Sequence, residues 1–221
     1  MIRPFLVAAL SAALLAGCSE KGKESPSEAI QSAVFVNTGQ PKLTLITMVN
    51  NRTGAGAHSS LLVEGSQTVL FDPAGSFEHE RVPERGDVLY GMNPSWVRFY
   101  KSAHARSTFH VVSQELDVTP QQAAHALQLV QENGPVPSAL CASATSGLLR
   151  QVSGFQSIKR GFSPIKLMDQ MSEIPGVRTT RLYEDDEGNV LDGVRTLSKE
   201  VEQPVEGRRT AQQGRQNTLG E

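Results

Sequence analysis

The chain has 221 residues, 38 % hydrophobic and 20 % charged, with a formal net charge of −2. That length is enough for one domain with a real core plus tails, and the balanced charge gives no concentrated basic surface, which excludes a nucleic-acid footprint. Low aromatic content and 19 glycines predict a modest core with many turns.

The N-terminus reads MIRPFLVAALSAALLAGCSEKGKESPSE. Arg3 makes a short basic region, and Phe5 to Ala16 is an apolar run. A membrane span needs roughly 20 apolar residues, so this run is too short to cross and has the length of a signal-peptide core instead. It ends in Leu15-Ala16-Gly17-Cys18, which resembles the lipobox of bacterial lipoproteins. The resemblance implies cleavage before Cys18, lipid on Cys18, and a membrane partner reached through several acyl chains, each buried methylene contributing about 0.8 kcal/mol. Residues 1–17 are then the signal peptide. Ser19 in place of aspartate points to the outer rather than the inner membrane, with the domain facing the periplasm. Residues 18–41, rich in Ser, Lys, Glu and Gln, read as a disordered tether.

Lys42 to Val49, KLTLITMV, has the β-branched alternation of a first strand. Leu61 to Val63 and Val69 to Phe71 flank Glu64-Gly65-Ser66-Gln67 and predict a hairpin, ended by Asp72-Pro73. Val88 to Tyr90 is a short strand. Asn93-Pro94 opens a short helix, PSWVRFYKSA, and Ser107 to Gln114 is a further strand. Thr119-Pro120 starts a clear helix in which Ala123, Leu127 and Val130 share a face. Pro135 and Pro137 end that run, Ser138 caps the next helix, and Ser163-Pro164 caps another. Beyond Tyr183 the apolar periodicity is lost, and 184–221 reads as a polar, largely disordered tail. The domain proper is 42–183.

With Cys18 acylated, Cys141 is the only free cysteine and has no internal disulfide partner. An unpaired thiol in an oxidising compartment is either buried and inert or used for chemistry. Capping by Ser138 places Cys141 at the third helical position. There the partial positive charge and open N–H groups of the helix start favour thiolate. Catalysis also needs a base and an orienting group. His125 falls inside a helix, His79 and His104 sit in polar loop-like surroundings, and His58 and His110 lie on strands. His58 is preferred because a three-residue hairpin loop sets Asp72 opposite it, close enough to accept an imidazole N–H. A two-residue loop sets Pro73 there instead, and the sequence leaves that register open.

A histidine opening a strand, a polar residue on the next strand and a later cysteine opening a helix resembles the circularly permuted papain-like thiol hydrolases. That group includes envelope cysteine peptidases and amidases and the lecithin retinol acyltransferase clan. The resemblance covers roughly Lys42 to Pro175. It implies an α+β fold, a permuted papain-like antiparallel sheet packed against helices, with Cys141 as nucleophile, His58 as base and Asp72 as the third polar residue. Permuted relatives often carry Asn directly before the cysteine, where this chain has Leu140. The implied substrates are peptidoglycan stem peptides, envelope proteins or lipid acyl groups, with no cofactor and no metal. The alternative is a non-catalytic lipoprotein that keeps the scaffold as a binding or structural module.

Overall fold

The computed structural model describes residues 24–202, with side chains to residue 199. Cys18, the expected signal peptide and residues 203–221 lie outside the described residues. Among the described residues, helix and antiparallel strand combine into an α+β fold with six helices and one seven-stranded sheet. In chain order the elements are α1 (Ser27–Ala33), β1 (Lys42–Asn50), β2 (Gly56–Glu64), β3 (Thr68–Phe71), β4 (Glu84–Arg85), β5 (Val88–Tyr90) and α2 (Pro94–His104). They continue with β6 (Phe109–Asp117), α3 (Pro120–Glu132), α4 (Cys141–Leu149), α5 (Pro164–Ser172), β7 (Arg178–Leu182) and α6 (Val190–Glu202). The sheet runs β4-β5-β3-β2-β1-β6-β7, every neighbouring pair antiparallel.

Antiparallel sheets commonly leave one face wet, but this one is covered on both. Leu43, Leu45, Leu61, Val63, Val69 and Phe71 point to one face and pack against Ala126 of α3, Leu149 of α4 and Met171 of α5. Ile46, Met48, Leu62 and Leu70 point to the other, against Phe99 and Tyr100 of α2 and Val194 of α6. Double burial is why the central strands read as apolar runs: seven consecutive residues of β1, Leu43 to Val49, are buried.

The helix starts are set by local chemistry. Asn93 accepts the N–H groups of Ser95 and Trp96, with Pro94 in the first turn of α2. Thr119 and Gln122 form a reciprocal capping box on α3, and Ser163 accepts from Lys166 on α5. Each such cap is worth about 1 kcal/mol.

Two sequence expectations need correction. The described part of the expected tether is attached to the domain. Ser25 N–H bonds the Glu84 carbonyl, Thr68 N–H bonds the Phe35 carbonyl, and Ile30 of α1 packs on the core. Gly91 lies so close to Ala33 that a Cβ there would strike its carbonyl. The expected tail contains α6, an amphipathic helix whose Val190, Val194 and Leu197 recur at helical spacing and pack on the α2 side of the core. Its polar residues hid that stripe from the sequence reading. The exposed edge strand β7 also escaped it, because RTTRL lacks the apolar alternation of a half-buried strand.

Candidate functional site

β3 stops at Phe71, opposite Leu61, while β2 runs on to Gly56. His58, Ser59 and Ser60 therefore have β1 on one side and no strand on the other. The candidate site is built in that gap. The hairpin register differs by two residues from the expected one: Glu64 pairs with Thr68 and Val63 with Val69, so Gly65, Ser66 and Gln67 form the loop. Continuing that register faces His58 towards position 74. An even slip keeps every side chain on its face, so Asp72 still reaches His58 along the diagonal of the pleat. His58 Nε2 donates to Asp72 Oδ1 at 2.6 Å.

Asp72 holds this geometry through further partners. Tyr100 of α2 donates its hydroxyl to the same Oδ1 at 2.6 Å and lies 3.1 Å from the Ser60 hydroxyl. Gly75 follows so closely that a Cβ there would collide with the Asp72 carboxylate. The Asp87 carboxylate accepts the N–H of Ala74, beside Asp72, and the N–H of Val136, on the way to Cys141. It thus ties together the two segments that carry the acid and the thiol. Among the described residues, three non-glycine residues have positive φ: Ala74, Asp87 and Ala139, at 55°, 62° and 67°. All three flank this site, where backbone strain of roughly 1–3 kcal/mol per residue is commonly concentrated.

Cys141 arrives from the opposite helical layer. The helix begins at Cys141 itself, two residues later than the cap at Ser138 required, because Ala139 turns left-handed and Leu140 takes the cap position. Leu140 has no side-chain acceptor to offer. The first internal bond of α4 is Ala144 N–H to the Leu140 carbonyl, so among the described residues the N–H groups of Cys141, Ala142 and Ser143 have no acceptor. Three open donors at a buried helix start call for an external partner. The thiol is 7 % exposed and unpaired. It adjoins the His58 imidazole and the backbone N–H of Ser59.

These contacts set the charges. Burial raises the Cys141 thiol, but hydrogen bonding and charge from His58, with the Ser59 N–H, bring it below the ordinary thiol value. Burial lowers His58, but the charge and hydrogen bond of Asp72, with Cys141, push it up to about 10. Burial raises Asp72, and the adjoining His58 overrides this to hold the carboxyl below its usual range. Between the lowered thiol value and about 10 the pair rests as thiolate and imidazolium. Because Nε2 is taken by Asp72, Nδ1 is the nitrogen left for the sulfur.

The other histidines separate clearly. His125 is exposed on α3, His79 packs beside Trp96, and His110 stacks on Tyr183 away from the site. His104 is not in a loop: it ends α2, is 5 % exposed, and lies nearly parallel to the His58 ring with centroids 6.3 Å apart. Tyr100, Ser59, Asp87 and His104 were missed by sequence reasoning. The four-residue spacing of Tyr100 and His104 on one helix face was the available signal. Among the described residues no group of three or more His, Cys, Asp or Glu side chains is placed to hold a metal, and no helix is long and apolar enough to cross a membrane. Comparisons with protein-family models, with curated proteins and with solved structures found no match.

Proposed function

We propose that this chain is a cysteine hydrolase or acyltransferase of the permuted papain-like kind, acting on an amide or ester. One observation carries the reading: Cys141 at the start of α4, His58 on β2 and Asp72 just past β3 converge on one buried spot, where His58 bonds Asp72 and adjoins the thiol. The Cys141 thiolate attacks the substrate carbonyl, and the open N–H groups of Cys141 and Ala142 face the developing oxyanion. One such donor contributes about 3 kcal/mol to the transition state. His58, held as imidazolium by Asp72, gives its Nδ1 proton to the leaving amine or alcohol. Water then attacks the thioester with neutral His58 taking its proton, which releases the acid and restores thiolate and imidazolium.

The N-terminal sequence supports the setting. Lipid on Cys18 would tether the domain to the periplasmic side of the cell envelope, the outer membrane being favoured by Ser19. Peptidoglycan stem peptides, envelope proteins and acylated lipids are the substrates within reach there. The test is mass spectrometry of the purified domain mixed with p-nitrophenyl acetate. Acetyl on Cys141, lost in Cys141→Ala and slowed in His58→Ala, supports the reading. A chain that stays unmodified contradicts it and leaves a lipid-tethered binding or structural module.

A further inference from the structure

Among the described residues, the most exposed large hydrophobic side chain is Phe162, at 72 %. Single exposed apolar residues are common, but this one is presented by a stapled loop. Arg160 Nε donates to Ser143 Oγ at 3.0 Å, and Gly161 N–H to Ser146 Oγ at 3.1 Å, both on α4. Lys159 N–H donates to Gln170 Oε1 of α5 at 2.7 Å. Where the loop enters α5, Pro164 packs so closely on Gly56 of β2 that a Cβ there would strike it. Backbone fixed in this way holds the aromatic ring in water unless a partner covers it. Lys159, Arg160 and Lys166 line the same groove as Phe162. Among the described residues neither lysine enters an ion pair. Asp169 and Glu173 border the groove further along α5, past the basic loop.

We propose that this loop docks the domain on an anionic lipid bilayer, with Phe162 in the interface and Lys159, Arg160 and Lys166 facing lipid phosphates. An aromatic ring suits the boundary between headgroups and acyl chains, and each nearby cation adds attraction to an anionic surface. Chain length and direction select a bilayer among acidic partners, and this step rests on the reading of Cys18 as lipidated. Six residue steps separate Cys18 from Glu24, which span at most about 21 Å. Glu24 bridges Arg85, in the row that continues through Val88 and Phe71 to Leu61. Ser25 N–H bonds the carbonyl of Glu84, one residue back. From Ser25 to Glu24 the chain therefore heads towards the end of the sheet that carries His58. Gly56, against Pro164, lies at that same end of β2. The tether and the Phe162 loop share one end of the domain, and lipid on Cys18 brings a bilayer to it.

The experiment takes the chain from Ser19 to Glu221, which keeps every described residue and carries no lipid. It measures co-sedimentation with vesicles of phosphatidylcholine alone, or of phosphatidylcholine and phosphatidylglycerol in equal parts. The expected result is binding at least about tenfold tighter to the anionic vesicles, weakened by salt. Phe162→Ser should lower that affinity about tenfold, and Lys159→Gln and Lys166→Gln about fivefold each. Arg178→Gln, at the other end of the sheet, should leave it unchanged. In Phe162→Trp an indole emission should shift to the blue on the anionic vesicles. No binding, equal binding to both vesicle types, or binding that the Phe162 and lysine variants leave unchanged overturns the proposal. Intact mass of the full chain extracted from bacterial membranes tests the tether separately. A mass without lipid on Cys18 overturns the tether reading instead, and the choice of a bilayer with it.

Discussion

Two charged groups lie at opposite ends of the sheet, about 20 Å apart along β1 by strand rise, and their short contacts are nearly the same length. At one end Arg178 donates to Glu115 at 2.7 Å and Asp117 at 2.8 Å, beside Lys42. At the other, His58 meets Asp72 at 2.6 Å. Distance does not separate them; surroundings do. The Arg178 group is open to water, where screening and side-chain entropy cancel most of an ion pair. The His58 group lies under α2 with Tyr100, where removing one partner leaves another stranded in low dielectric. A solvated network decorates a sheet end, whereas a buried one that adjoins a thiol and three open N–H groups can do chemistry.

Substitutions at the two ends should break the symmetry of distance. The largest effect is at the reacting groups: Cys141→Ala should abolish turnover of p-nitrophenyl acetate, and His58→Ala should lower kcat/KM by about 10³-fold. Gly75→Ala comes next. It touches no substrate, yet the new methyl must push the Asp72 carboxylate aside, and a displacement near 1 Å costs about 10²-fold. Tyr100→Phe removes one charge-assisted hydrogen bond to Asp72 and should cost about 2 kcal/mol in a urea unfolding curve. Arg178→Ala should leave both turnover and the unfolding midpoint unchanged, at low salt and high.

Stability against pH sharpens the same contrast. His58 is raised on folding, so its contribution is complete below about 6.5 and is lost as pH rises through about 10. His104 is lowered to about 4, so the unfolded chain binds the extra proton, and stability is lost as pH falls from about 6.5 towards 4. That second loss amounts to about 3 kcal/mol, and His104→Phe should flatten the acid limb of the unfolding midpoint by that order. Variants at Arg178 should leave both limbs in place.

Much of the layout was legible because alternation and caps are local signals. Asn93-Pro94, Thr119-Pro120 and Ser163-Pro164 open α2, α3 and α5 as expected. The meeting of His58 with Asp72 was also legible, though through the wrong register: period two forgives a slip of two. What stayed hidden is non-local. No sequence rule announces that Ala139 turns left-handed and moves the start of α4 to Cys141, nor that α2 places Tyr100 on Asp72 and His104 beside the base. The helix α6 was hidden by its own polarity, since an apolar stripe of Val190, Val194 and Leu197 is diluted by ten other residues.

The central claim is that a buried imidazolium keeps the Cys141 sulfur ionised below the ordinary thiol range. The pH profile of iodoacetamide alkylation measures this directly on the folded domain. The midpoint of the wild-type rise should lie below the ordinary thiol value of about 8.5, and His58→Ala should move it towards or above that value. A sulfur that reacts only after denaturation, or a profile the substitution does not move, would contradict it.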